Sequence, residues 1–305
     1  MTAPAFTLRE ESIALPQGAW VGGKRTLVYW CEQVAMGFTQ GRFSNYLFPV
    51  FSPAGFAVTS ESPADHPHHH SVWIGADHVN LHMPAPAGTE VYSYNFYVNE
   101  TFQGRAPGRI EEVSIDAVAT ADADGNGLTI VQALLWRGPQ EWGAPEGRAI
   151  LHERRTTHLR HLASHSAFQI DIHCALEPDT HAVTIGPTRH AWFNARVGPG
   201  MSRLHGGQVR CRAAGSALAQ QETAVWTSYC GPVGGGHRAG IALAPRLPIE
   251  TRSWYVSDWG VMTANPCRDR AITVSPGEAP AQLAARFLVF DGSLDDEALD
   301  ALLIA

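Results

Sequence analysis

Short runs of β-branched and aromatic residues recur along most of the chain, separated by clusters of Gly, Pro, Asn and Asp. Several alternate apolar with polar positions, the period of two that a half-buried strand requires. The clearest predicted strands are 26–30, 90–98, 128–135, 168–176, 181–185, 224–230 and 271–274. Helical spacing is convincing only at 293–303, where Ser293 can act as N-cap, acidic residues fill the first turn and apolar residues recur at helical intervals. The segment 123–127, Ala-Asp-Gly-Asn-Gly, lies between strand-like 115–119 and 128–135 and supplies the residues tolerant of positive φ that a tight hairpin needs. The pattern predicts an all-β fold, a large antiparallel β-sandwich with a short C-terminal helix. No linker or repeat interrupts it, so residues 1–305 are expected to form a single domain.

Composition narrows the function classes. Charged residues make up 17% of the chain, against about 25% in average proteins. The net charge is -7 and the arginines are scattered, which disfavours a nucleic-acid partner. No apolar run approaches the roughly 20 residues that span a bilayer. The N-terminus lacks the charged and apolar regions of a signal peptide, so no membrane partner and a cytoplasmic location are expected. Cys31, Cys174, Cys211, Cys230 and Cys267 are dispersed, with no CxxC spacing, and are expected to be small buried apolar residues rather than a disulfide framework. Gly231-Pro-Val-Gly-Gly-Gly-His lacks the GK[ST] ending of a phosphate loop and reads as a hairpin loop, so no nucleotide cofactor is expected.

The strongest chemical signal is 65–82, DHPHHHSVWIGADHVNLH, which holds six of the 15 histidines beside two aspartates. Neutral imidazole titrates near neutrality and ligates zinc, copper and iron, so the cluster points to proton transfer or metal binding; a solvated polar loop is the plain alternative. Pro67 rules out a helix interior, and if the segment is extended, His66, His68 and His70 share one face. A second concentration, 151–173, contains Glu153, a candidate general base or metal ligand, with Arg154 and Arg155 as ion-pair partners. Further on, His190 and Arg196 flank an aromatic pair, and Trp254, Tyr255 and Trp259 precede Asn265; such rings serve as sugar platforms or simply as core. No GxSxG elbow appears, which weakens a serine hydrolase reading.

Several segments together resemble one family. DHPHHHSVW with the following HVN, then HERR, FQIDIHCAL, GPTRHAWFNARV, CGPVGGGHRAGIAL and WYVSDWG with its NP, resemble in motif and order the DUF6807 family, over roughly residues 60 to 290. The resemblance implies a galactose-mutarotase-like supersandwich whose concave face binds a small molecule. Asp65, His66, His68, His69, Trp73 and Asn80 match the family signature. The chain departs from it where the family carries Arg and then Gly, having His70 and Ser71 instead. Loss of a fixed cation there is expected to alter substrate charge or add a metal ligand. Taken together, the expectation is an enzyme, a hydrolase or lyase, in which His66, His68, His69 and Glu153 perform metal-assisted or acid–base chemistry on a cyclic or sugar-like substrate. Asp65, His70, Trp73, Asn80, His190, Trp254 and Asn265 are expected to bind that substrate. A divalent metal, zinc or iron, would take ligands from His68, His69 and His78. The alternatives are a metal-free mutarotase or epimerase, in which a His protonates the ring oxygen and a carboxylate removes the anomeric proton, and a non-catalytic carbohydrate-binding module.

Overall fold

A computed structural model of the chain describes residues 6–12, 23–120, 127–212, 224–247 and 253–304. Their strands form a large antiparallel β-sandwich. One eight-stranded sheet runs in the order Phe6–Ser12, Lys24–Trp30, Gln33–Gln40, Asn45–Val50, Val72–Ala76, Ala191–Arg196, Val261–Asn265, Ser253–Val256. The second runs Gln208–Cys211, Thr227–Gly234, His237–Leu247, Ala281–Asp291, Ala167–Pro178, Ala149–Leu162, Gly127–Arg137, Arg109–Thr120. A four-stranded sheet, Ile272–Val274, Val183–Ile185, Val79–Ala85, Gly88–Tyr94, completes the fold.

Period-two alternation decides which faces meet. In strand Gly127–Arg137, Leu128, Ile130, Gln132, Leu134 and Trp136 are buried while the residues between them are less so. Leu128, Ile130, Leu134 and Trp136 join Val28, Met36, Phe38, Ile74, Phe193 and Met262 of the first sheet in one apolar cluster. Each such side chain removed from water contributes about 1.5–3 kcal/mol, so this shared core is what holds the sheets together. The outer face of the second sheet is covered by the helix Asp296–Ile304, whose Leu299 and Leu303 pack with Trp226, Leu288 and Phe290. Trp226 Nε1 donates to Asp300 at 2.7 Å.

Three local expectations need correction. The helix starts later than predicted and is capped by Asp295, which accepts from the Ala298 amide at 2.8 Å; Ser293 stays outside it because Leu294 is drawn into the apolar cluster beneath the helix. The predicted strand 90–98 ends at Tyr94, because Asn95 Oδ1 accepts from the amides of Tyr97 (2.8 Å) and Val98 (3.0 Å) and folds the chain into a turn. Cys174, Cys230 and Cys267 are buried as expected, but Cys31 is exposed, in a hairpin turn at φ 46°. The turn predicted at 123–127 falls almost wholly outside the described residues, yet the flanking strands pair directly, up to Thr120 with Gly127. The glycine-rich loop is a hairpin, with Gly234, Gly235 and Gly236 all at positive φ. No helix among the described residues is long and apolar enough to cross a membrane.

Candidate active site

Opposite the shared core, the first sheet carries a cleft of about 330 Å³, at the small end of the range for small-molecule sites. Alternation builds its floor. Ile74, Phe193, Met262 and Ala264 face the core, so Val261 and Thr263 reach the cleft and Trp73 lies beneath it. Strand Ala191–Arg196 runs under the cleft, with His190 just before it and Arg196 at its end. Between them, Asn194 Oδ1 accepts from Tyr97 Oη (3.2 Å) and Thr263 Oγ1 (2.8 Å), fixing two lining side chains. Phe102, Tyr255 and Trp259 add aromatic walls.

One wall is the His66–Ser71 segment. It is not extended: the His66 amide donates to Pro63 O and the His69 amide to His66 O, so consecutive turns throw successive imidazoles in different directions. His66, His68 and His69 line the cleft. His66 lies parallel to Trp259 (4.5 Å, 1°) and to His69 (4.7 Å, 5°), and His69 lies over Trp73 (4.9 Å). Asp65 sits at the rim, accepting from His66 Nδ1 at 2.9 Å and Arg196 Nη2 at 3.0 Å, while the Arg196 guanidinium rests over Trp259. Burial would raise the Asp65 carboxyl, but these two donors bring it below the usual carboxylate value. Burial, with help from neighbouring imidazoles, pushes His68 down to about 4 and lowers His69 further. His69 Nδ1 is buried and has no hydrogen-bond partner.

His70 leaves the cleft altogether. It is 3% exposed, stacked on Tyr46 at 4.6 Å, and both nitrogens are used: the Asn99 amide donates to Nε2, so the neutral ring carries its proton on Nδ1 and donates to Ser62. Burial pushes it down to about 4. The expectation that it touches substrate or adds a metal ligand is therefore corrected. Ser71 explains the glycine of the resembled signature: its φ of 62° lies in the left-handed region, and here a hydroxyl donating to Thr59 at 2.7 Å accompanies the strain.

The opposite wall is a dyad. Pairing of Ala76 with Ala191 brings Asp77 beside His190. Asp77 is 1% exposed; its Oδ2 accepts from His190 Nδ1 at 2.9 Å, and its Oδ1 accepts from His78 Nδ1 at 2.7 Å and from the Thr188 hydroxyl. Burial alone would raise this carboxyl, yet the donors, led by His190, hold it down to about 2. The carboxylate fixes the His190 tautomer and leaves Nε2 facing the cleft, where it accepts from Arg189 Nε at 3.2 Å. Asn265 anchors this loop by donating to Thr188 O at 2.7 Å and accepting from the Cys267 amide.

Several predicted site residues lie elsewhere. Glu153 is on the core face of the second sheet, 2% exposed, where it accepts from Arg155 Nε (2.7 Å), Arg155 Nη2 (3.0 Å) and Trp136 Nε1 (2.7 Å). Alternation along Ala149–Leu162 turns it inward, so it is a buried ion-pair partner and not a base in the cleft. Trp254 is also turned to the core and donates to Ala224 O, while its neighbour Tyr255 takes the cleft position. Asn265 supports the site from behind, and Trp73 supports His69 from below. Asn80 lies in the small sheet near Thr184, as does His82, away from the cleft. His78 shares Asp77 but does not line the cleft, so it does not join His68 and His69. The donors expected for a metal are not brought together: among the described residues no three His, Cys, Asp or Glu side chains are grouped to hold an ion, and His66 and His69 offer each other ring faces rather than converging nitrogens. Asp77, Tyr97 and Arg189 were not among the expected site residues.

Among solved structures, the fold resembles a candidate aldose 1-epimerase from Klebsiella pneumoniae subsp. pneumoniae, with TM-score 0.44, 10% identity, and 97% of this chain and 86% of that one covered. It also resembles the galactosidase domain of an alpha-galactosidase–sucrose kinase, with TM-score 0.36 and 8% identity over 76% of this chain and 42% of that one. A third likeness is to the Slr1438 protein from Synechocystis sp., with TM-score 0.36 and 10% identity, covering 88% of this chain and 91% of that one. At these levels the likenesses carry neither substrate nor catalytic residues across to this chain. No curated protein sequence matches it. A model of DUF6807, described as a family of unknown function, matches residues 21–304, and the chain belongs to that family.

Proposed function

We propose that the cleft performs acid–base chemistry on a cyclic, sugar-like small molecule, of the mutarotase or epimerase type. The observation that carries this reading is the Asp77–His190 dyad opening onto an aromatic-walled cleft. Aromatic faces suit the apolar faces of sugar rings, and a carboxylate-backed imidazole is suited to give and take a proton at Nε2. A second proton-transfer group is needed. Among the described residues no Asp or Glu lines the cleft, so the carboxylate role of the mutarotase expectation falls to His68, which is neutral near pH 7 and able to accept a proton.

In the step that follows, His190 has taken up a proton at Nε2 in place of the bond from Arg189, with Asp77 balancing the charge, and gives that proton to the ring oxygen. His68 takes the proton of the anomeric hydroxyl, the bond between the anomeric carbon and the ring oxygen breaks, and an open-chain carbonyl compound forms. Rotation about the adjacent carbon–carbon bond and the reverse transfers close the ring with either configuration.

The test is a panel of freshly dissolved reducing sugars and sugar acids followed by polarimetry and NMR exchange. Catalysed ring opening is expected with wild type, and His190→Gln is expected to lower kcat by about 10²–10⁴-fold. Full activity in that variant sinks the assignment. Saturable binding with no accelerated ring opening anywhere in the panel would leave a binding module instead.

A further inference from the structure

The charges around the cleft are uneven, and the imbalance points to the chemistry of the ligand. Both nearby carboxylates are already engaged. Asp77 lies behind His190 and accepts from three side chains, and Asp65 at the rim is held by Arg196 and His66. Arg189 lines the cleft and, among the described residues, makes no ion pair; its one hydrogen bond runs from Nε to His190 Nε2 at 3.2 Å. That bond leaves both terminal nitrogens of the guanidinium for a ligand, in the fork that matches a carboxylate. In a chain of net charge -7, a lining that among the described residues has one arginine, four histidines and no acid is a local reversal of sign.

Position adds a second argument, which rests on the reading of His190 as the group that protonates the ring oxygen. Because Arg189 Nε touches His190 Nε2, a ligand oxygen beside Nε2 has the guanidinium as its neighbour. In a pyranose form of a hexuronic acid, the ring oxygen and the carboxylate carbon are attached to the same ring carbon. A neutral hexose offers only a hydroxymethyl group there, and a 6-phosphate places its charge two bonds further out. We propose that the substrate is a cyclic sugar acid whose carboxylate is held by Arg189 while its ring oxygen meets His190.

Direct binding tests this without relying on turnover. Calorimetry or ligand-observed NMR would compare glucuronate and galacturonate with glucose, galactose and glucose 6-phosphate, on wild type and on Arg189→Gln, Arg189→Lys and His190→Gln. Arg189 is exposed, so its variants are expected to fold, with far-UV circular dichroism as the check. At least one uronate is expected to bind about tenfold or more tightly than its parent aldose. Arg189→Gln should erase that preference, Arg189→Lys should keep part of it, and His190→Gln should keep it while losing ring opening. Equal binding of acid and aldose, a stronger preference for the 6-phosphate, no uronate binding at all, or a preference untouched by Arg189→Gln each overturns the proposal. If His190→Gln keeps full ring-opening activity, the acid–base reading falls on its own, whatever the uronate preference shows.

Discussion

The two walls of the cleft are both built from histidine, and they differ in what stands behind the rings. On the His66–Ser71 side, imidazoles are stacked on one another and on tryptophan, and burial keeps His68, His69 and His70 neutral. On the His190 side, a single imidazole is tied to a buried carboxylate that three side chains keep ionised. The number of histidines is therefore a poor guide to chemistry. A ring's partner decides whether it serves as a wall, a proton acceptor or one half of a dyad.

Acid should separate the walls most strongly. A histidine whose folded pKa is pushed from 6.5 to about 4 leaves stability intact above about 6.5 and removes it as pH falls to about 4, because the unfolded chain takes up the proton first. For buried His70 the loss is on the order of 3 kcal/mol. Asp77 loses its contribution in the same direction but in a lower window: with its carboxyl lowered from 3.8 to about 2, the contribution persists through the histidine range and fades only between about pH 4 and 2. Urea unfolding is expected to weaken from pH 6.5 to 4, with a shallower slope in His70→Gln; a flat profile in wild type contradicts the neutral-wall description.

Asp77→Asn probes the other wall. It is expected to lower kcat by about 10–100-fold with little change in KM, since the amide no longer fixes the His190 tautomer yet leaves the cleft lining in place. A change confined to KM would mean that Asp77 shapes binding rather than positioning the acid. The smallest effect concerns Ser71. Ser71→Ala loses the Thr59 bond but keeps the strained φ, costing about 1 kcal/mol, whereas Ser71→Gly relieves the strain and is expected to be close to neutral. Thermal melts that rank Ala above Gly would show that the strain is not what the glycine of the family signature answers.

Much of the fold was legible because a period of two is written into each strand, and the family motifs pointed to the same sandwich. The His66–His69 part of the site was legible because clustered imidazoles stand out in any sequence. Asp77 was harder to place. It is 113 positions from His190, and only the pairing of Ala76 with Ala191 makes them neighbours. Glu153 misled for a related reason: a charged residue in a strand reads as surface or site until the facing indole and guanidinium are seen to complete it inside the core. Trp254 and Tyr255 show the limit of pattern reading, since two adjacent aromatics give no hint which of them faces the cleft.

Strand Ala191–Arg196 has one further consequence. It connects His190, at the Asp77 end, with Arg196, at the Asp65 and Trp259 end, and it is paired on both sides, with Val72–Ala76 and Val261–Asn265. An extended strand rises about 3.3 Å per residue and cannot stretch, so the two ends stand roughly 20 Å apart along a fixed rule. An inserted or deleted residue would do more than lengthen or shorten that rule. It would turn the following side chains to the opposite face and take Asn194 away from Tyr97 and Thr263, which it anchors. The strand thus works as a gauge block: adaptation to a larger or smaller ligand has to come from the loops at its ends, because its own length is not adjustable.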